Sequence, residues 1–284
     1  MKRWIQRLVS AVLILGAIAI AVASYSFHVE PRWVEVVQLE ESLPRLSPAF
    51  DGFKIAHISD FHVGRLMDKD RFTDLMTLVN EQNPDLVVMT GDFVTHHPEQ
   101  YADTLIPGLK LLSDQHMTLG VLGNHDYWSD PAAVRRILQA SNVLELNNTV
   151  QTVQRGDQQL HIAGVDDVWS GEPDLGAVLE QLPDDGAAAV LLVHEPDFAD
   201  TSAPTGRFDL ELSGHSHGGQ IRFPIVGALF FPPYAKVYPD GRYEVGDMIH
   251  YTNRGLGMVQ LGARLLCRPE ITVLTLRSPA ADVG

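Results

Sequence analysis

A single cysteine, Cys267, is all the thiol this chain has. No intramolecular disulfide can form, and a Cys-based zinc site is excluded; the residue reads as a small buried apolar one. Because no cysteine directly follows the apolar N-terminal stretch, a lipoprotein anchor is excluded as well. Basic residues are also scarce: 21 Lys and Arg stand against 36 Asp and Glu, for a net charge of −15. Three of the basic ones (Lys2, Arg3, Arg7) precede Phe27 and no acidic one does, so the remainder carries 18 basic against 36 acidic side chains. A field of that sign repels a phosphate backbone and argues against nucleic acid as a partner. It attracts divalent cations, although carboxylates serve equally as a solvated surface. Internal repeats and low-complexity tracts are missing too, so the chain divides into an N-terminal segment, residues 1–28, and one domain, residues 29–284.

The N-terminal segment is basic over Met1 to Arg7 and then runs from Leu8 to Phe27 without a charge. A helix of that length spans roughly 30 Å, the thickness of a bilayer's hydrocarbon core. A cleaved signal peptide competes, since Ala21-Val22-Ala23 is A-x-A-like. The run exceeds the usual h-region, which favours a retained single-pass anchor in the cytoplasmic membrane. With Lys2, Arg3 and Arg7 held inside, the domain would face outward; export after cleavage is the alternative.

Beyond it, Trp33 to Leu43 alternates as an edge strand would, and a theme then repeats: a short β-rich apolar run, polar residues at its C-terminal end, and a return. The runs are FKIAHISD (53–60), DLVVMTGD (85–92), MTLGVLGNHD (117–126), HIAGVDD (161–167), AAVLLVHEP (188–196) and FDLELSGHSH (208–217), with MIHYTNRG (248–255) and EITVLTLR (270–277) in the tail. Asp70 to Asn80 and Pro131 to Ala140 have amphipathic helical spacing, the second behind Asp130 as an N-cap. Strands alternating with helices predict an α/β domain. RFPIVGALFFPPYAKVYPDG (222–241) is rich in Pro, Gly and aromatics, which predicts an irregular loop rather than a helix. Its apolar part, Pro224 to Pro233, could offer an apolar acceptor surface, but packing against its own domain is the expectation.

The polar residues at the strand ends are Asp60 and His62, Asp92, Asn124 and His125, His194, then His215 and His217. Strand C-termini are where open α/β sheets gather ligands. Each residue alone reads as a cap, a turn or a satisfied structural group; the recurrence is what carries weight. Imidazole and carboxylate together suit Mn, Fe or Zn, and the set is too large for one ion but right for two sharing a carboxylate. A rival reading is audible in Gly214-His215-Ser216-His217-Gly218, which satisfies the G-x-S-x-G elbow of a serine hydrolase. That elbow must enter a helix, however, and Pro224 follows closely; its partners, Asp240 or Asp247 with His250, would crowd together. Ser216 is better read as a small residue letting two imidazoles turn the same way. His57 shares the alternation of Ile55 and Ser59 and reads as a packed structural residue, His96 and His97 as exposed, and Arg65 and Arg254 as phosphate contacts or, more simply, solvated arginines.

Asp60-Phe61-His62, Gly91-Asp92, Gly123-Asn124-His125-Asp126, His194 and Gly214-His215-Ser216-His217 resemble, in order and spacing, the signature blocks of the calcineurin-like metallophosphoesterases. GHSHGGQI, the late NRGLG and the long apolar N-terminus resemble the family's membrane-anchored or exported bacterial branch. The resemblance implies a four-layer α/β/β/α sandwich of two mixed sheets. It also implies hydrolysis of phosphate esters (phosphodiester, phosphomonoester or lipid-linked pyrophosphate) by a hydroxide shared between two divalent ions, Mn2+, Fe2+ or Zn2+. Asp60, His62 and His217 would hold one ion, Asn124, His194 and His215 the other, and Asp92 would bridge. His125 would contact substrate and protonate the leaving oxygen. Some family members place an Asp three residues after the bridging one to orient that histidine; Thr95 stands there, leaving Asp126 or a backbone carbonyl for the task. A non-catalytic scaffold of the same fold is the alternative, against which stands the full complement of candidate ligands.

Overall fold

The computed structural model describes residues 2–279, so the first residue and the last five of the two segments above lie outside the described residues. In chain order the strands are β1 (Glu35–Ser42), β2 (Lys54–Ile58), β3 (Leu86–Thr90), β4 (Met117–Val121), β5 (Leu144–Glu145), β6 (Thr149–Arg155) and β7 (Gln158–Gly164). They continue with β8 (Ala189–Leu192), β9 (Leu210–Ser213), β10 (Arg222–Phe223), β11 (Gly227–Ala228), β12 (Gly241–Val245), β13 (Met248–Thr252) and β14 (Glu270–Arg277). The helices are α1 (Lys2–His28), α2 (Lys69–Asn80), α3 (Ala102–Ser113), α4 (Asn124–Ser129), α5 (Pro131–Ala140), α6 (Leu175–Gln181) and α7 (Ala199–Ser202).

Two six-stranded sheets form, ordered β1-β14-β2-β3-β4-β5 and β12-β13-β9-β8-β7-β6. Both are mixed: β14 runs antiparallel to β2, and β12 and β6 antiparallel to their neighbours, while the remaining pairs are parallel. The strand period of two explains the layering. Ile55, Leu86 and Val88 of the first sheet meet Val190, Leu192, Leu210 and Leu212 of the second in a central core. The alternate residues Ala56, Ile58, Val87 and Met89 face outward onto Phe72, Leu75, Leu105, Leu109, Val134 and Ile137 of α2, α3 and α5. Ala189 and Leu191 do the same towards Val178 of α6 and Ala199 of α7. The expected four-layer α/β/β/α sandwich is therefore the fold, with β1 at the sheet edge as its alternation indicated.

Caps fix the helix starts. Asp130 accepts a bond from the Ala133 amide at 2.9 Å ahead of Pro131, and Asp68 does the same for Arg71 at the start of α2. Helix α1 is long and apolar enough to cross a membrane, by length and composition, and its most apolar stretch is not buried. Its end is docked. Ser26 carbonyl accepts from Arg264 N at 2.9 Å, Glu30 accepts from Cys267 N, and the Arg268 guanidinium lies 3.6 Å from the centre of the Trp33 ring. Strands β1 and β14 begin at the end of the sheet where β2 and β3 finish, so α1 joins the domain at the end that carries the strand-tip residues.

Candidate metal centre and active site

The turns leaving β2, β3, β4, β8 and β9 converge, and every one of the singled-out residues lies there. Five of them hold the backbone in the left-handed region: Asp60 (φ 52°), His62 (47°), Asp92 (55°), His215 (67°) and His217 (50°). That region is costly for residues with a Cβ, and such strain gathers where side chains must be aimed. Glycines make the convergence possible. A Cβ on Gly91, itself at φ 87°, would meet His194 Nδ1 at 2.6 Å, and one on Gly214 would collide with Ser59 and Asp60.

Asp92 stands at the centre. Its Oδ1 accepts from the amide of His125 at 2.9 Å, at the start of α4, which leaves Oδ2 facing His62 Nε2 at 3.3 Å and His194 Nε2 at 3.4 Å. On one side, His62 Nε2 lies 3.1 Å from His217 Nε2, which lies 3.4 Å from Asp60 Oδ1. On the other, His194 Nε2 lies 3.2 Å from Asn124 Oδ1 and 3.2 Å from His215 Nδ1. The ligand atoms of Asp60, His62 and His217, and those of Asp92, His194 and His215, each fall within 4.8 Å of one another.

Tautomers show what this geometry asks for. A carbonyl can only accept, so the 2.6 Å contact of His194 Nδ1 with Thr90 O and the 2.8 Å contact of His215 Nε2 with Pro233 O fix the protons on those nitrogens. The opposing atoms, His194 Nε2 and His215 Nδ1, then present lone pairs to each other, to Asn124 Oδ1 and to a carboxylate oxygen. Four potential ligand atoms thus face one point in a buried place, where a cation, either a metal ion or a proton on His194 Nε2, offsets their mutual repulsion, and imidazole held by a second bond to backbone is the usual build of a metal ligand. Burial opposes charge on Asp92, but His194 and His62 outweigh it and hold the carboxyl well below its ordinary range. Burial likewise opposes charge on His194, and Asp92 outweighs it, raising that imidazole well above its ordinary value: a proton there meets the same demand as an ion. Burial keeps His217 well below the usual imidazole range and raises Asp60. These donors suit divalent metal.

His125 sits on α4 at the site's lip, its ring 4.8 Å from that of His62 and edge-on to it. Burial lowers it to about 4, although Asp92 pulls the other way. Its buried Nδ1 has no well-formed hydrogen bond, but the Thr95 backbone pulls its pKa upward as a backbone acceptor would, and Asp126 does not orient it. That carboxylate accepts instead from Gly123 N and Val94 N, tying α4 to the turn after β3. Thr95 Oγ1 lies 3.4 Å from His62 Nδ1. Ser216 Oγ accepts from Gly218 N within a short 3-10 turn, so no helix follows β9 and the elbow reading falls. His57 is fully buried against Thr90, as its alternation indicated. Arg65 is exposed at the cleft, whereas Arg254 is committed to Glu270 and Glu35 and faces no phosphate site. His96 and His97 are exposed on the cleft wall.

Three contributors went unnoticed in the sequence. Trp128 packs 4.9 Å from His125, and Trp169 packs against both Trp128 and His215, together forming an aromatic wall. Trp128 lies three residues beyond His125, a helical neighbour spacing that could have revealed it. Arg264, fully buried, donates to the carbonyls of Arg254, Gly255, Gly257 and Cys267 and thereby holds the loop that presses on Asp60; no local pattern announces it. The cleft above these groups measures about 920 Å³ and is lined by Trp128, Trp169, Phe230, Leu229 and Leu261 as well as the histidines.

A sandwich of two mixed sheets with imidazole and carboxylate donors massed at one end is the build of a metal-dependent hydrolase. Residues 53–219 match the calcineurin-like phosphoesterase family, and the chain belongs to it. It is 38% identical to the uncharacterized metallophosphoesterase YkuE of Bacillus subtilis strain 168 over 89% of either chain. It is 30% identical to the phosphodiesterase YaeI of Escherichia coli strain K12, over 89% of this chain and 92% of that one. The solved sulfate thiohydrolase SoxB of Thermus thermophilus shares the fold at 14% identity with a TM-score of 0.50, covering 81% of this chain and 57% of its own. This chain thus spans little more than half of that structure. The protein is a metallophosphoesterase, a phosphoric ester hydrolase.

Proposed function

We propose that this chain hydrolyses a phosphodiester or lipid-linked pyrophosphate with two divalent ions. Asp60, His62 and His217 would hold the first, Asn124, His194 and His215 the second, with Asp92 between them. The observation that supports this reading is the meeting of His194 Nε2, His215 Nδ1, Asn124 Oδ1 and Asp92 Oδ2, four buried potential ligand atoms turned toward one another. Such a pair supplies a water acidified for attack at phosphorus and neutralises the charge that develops there; Mn2+, Fe2+ or Zn2+ suits the donor set. The neutral amide of Asn124 ligates without adding negative charge beside a phosphate. His125, kept neutral by burial, would gain a proton as the phosphate's charge arrives beside it, and give that proton to the leaving oxygen. The half-exposed indole of Trp128 packs against that ring and would steady it.

An ester with an apolar or extended substituent fits the cleft better than a small monoester, given the aromatic and aliphatic walls. The name of the YaeI relative points to a diester as well. Residues 1–28 would anchor the enzyme, residues 29–284 forming the catalytic domain. Trp4 near one end of α1 and Trp33 just past the other are both exposed, as in the aromatic belts of spanning helices. With Lys2, Arg3 and Arg7 held on the cytoplasmic side, the domain would face outward. Hydrolysis of a chromogenic diester and monoester, before and after chelation with Mn2+ added back, tests the reading. Metal-restored turnover favouring the diester is expected. Turnover insensitive to chelation and lost in Ser216→Ala would overturn it, and no turnover on either ester would favour a scaffold.

A further inference from the structure

The loop from Pro224 to Pro233 meets its own domain through the Pro233 carbonyl and the half-buried Phe231 and Pro232, but its apolar tip does not pack there, contrary to the sequence expectation. Ile225 is 108% exposed, Val226 68%, Leu229 72% and Phe230 69%, and the neighbouring Leu261 and Leu266 are more than half exposed. From Phe223 to Ala235 there is no charged residue. The tip is built to display these side chains. Strands β10 and β11 pair as a minimal hairpin, and Ile225 takes φ 71°, a left-handed conformation that a β-branched residue adopts only at a cost. A soluble surface rarely keeps such a patch without a partner.

The patch is continuous with the end of α1. Ser26 carbonyl holds Arg264 N, and the next residue, Leu265, pairs with Arg222 at the base of the hairpin through Arg222 N to Leu265 O at 2.8 Å. Gln220 then ties the hairpin base to Val259 and Leu261. Buried contacts therefore set the helix, the hairpin and the mouth of the cleft side by side, with Trp33, Arg32 and Arg268 around them. This is the order of residues that marks a membrane–water boundary.

We propose that the tip at Ile225 and Val226, with Leu266, dips into the lipid surface beside α1, so that the cleft opens onto the bilayer rather than onto bulk water. The inference rests on α1 being a membrane anchor. A substrate with a hydrocarbon chain would then pass from bilayer to cleft along Leu229, Phe230 and Leu261, which line both.

The test uses the full chain in phosphatidylcholine–phosphatidylglycerol nanodiscs that carry spin-labelled lipid as a quencher. The native thiol is buried, so single cysteines label selectively. An environment-sensitive fluorophore is placed in turn at Val226→Cys, Ile225→Cys, Ile14→Cys within α1, and Asp157→Cys. The last lies in the β6–β7 turn at the far end of the sandwich, beside Arg155 and its partner Asp85. At least twofold quenching at residues 225, 226 and 14, with none at 157, is expected. Quenching at 14 but not at 225 or 226 overturns the inference and leaves the anchor standing. A blue shift at 226 that lipid quencher does not touch means protein covers the tip, a second copy for instance, and overturns it too. No quenching at 14 removes anchor and inference together.

Discussion

His194 and His215 face each other nitrogen to nitrogen at 3.2 Å, each with its far nitrogen bound to a backbone carbonyl, Thr90 O and Pro233 O. Neither ring can turn away without breaking its bond to the backbone. Replacing His215 by Ala should therefore lower bound metal towards one ion per chain and cut kcat/KM at least about 100-fold, the upper end of what perturbing a metal's surroundings costs. Elemental analysis of the purified variant checks the first, ester hydrolysis the second. Unchanged metal content would mean that the pair only shares a proton.

His125 is separable from the ions. His125→Gln should keep the full metal content while kcat falls roughly 10²–10⁴-fold, the range of general acid–base catalysis. The loss should grow with the pKa of the leaving alcohol, since a good leaving group needs no proton. A leaving-group series measured on wild type and variant reads this directly. Equal losses across the series would assign His125 to binding instead.

Arg264 offers a prediction about stability. Its guanidinium serves buried carbonyls of Arg254, Gly255, Gly257 and Cys267, and its amide receives α1. Arg264→Met leaves those carbonyls unpaired and should cost on the order of 3 kcal/mol or more. Denaturant titration of both proteins would show it as a lower midpoint at equal slope.

Burial, helped by His250, holds His57 at about 3, against its ordinary 6.5. Above pH 6.5 the ring is neutral whether the chain is folded or unfolded and adds no pH dependence. Between 6.5 and 3 only the unfolded chain takes the proton, so stability falls as pH falls, by up to about 1.4 kcal/mol per pH unit. Below 3 both states bind it and the effect levels off. In His57→Gln the unfolding free energy should slope less steeply across that window, by up to the same amount.

Much of this molecule could be read from its letters because parallel strands are apolar and short, and because their ends are where chemistry is placed. FKIAHISD, DLVVMTGD and AAVLLVHEP became β2, β3 and β8 with Asp60, Asp92 and His194 just beyond them. What escaped has physical reasons. Pro107 and Gly108 lie inside α3, where both residue types argue against a helix. Strand β6 is an edge strand with both faces partly exposed, so TVQTVQR lacks a clean alternation. Trp169 and Arg264 act through contacts made only after the chain folds. The tip of the loop from Pro224 to Pro233 departs from the sequence expectation because apolar residues ordinarily turn inward, whereas Ile225, Val226, Leu229 and Phe230 turn out.

The pairing of ions across Asp92 is tested most directly by anomalous diffraction from the full chain crystallised with Mn2+. Two peaks about 3.5–4 Å apart are expected, one beside Asp60, His62 and His217, the other beside Asn124, His194 and His215, with Asp92 touching both. A single peak, or ions that leave Asp92 uncoordinated, would contradict a dinuclear centre.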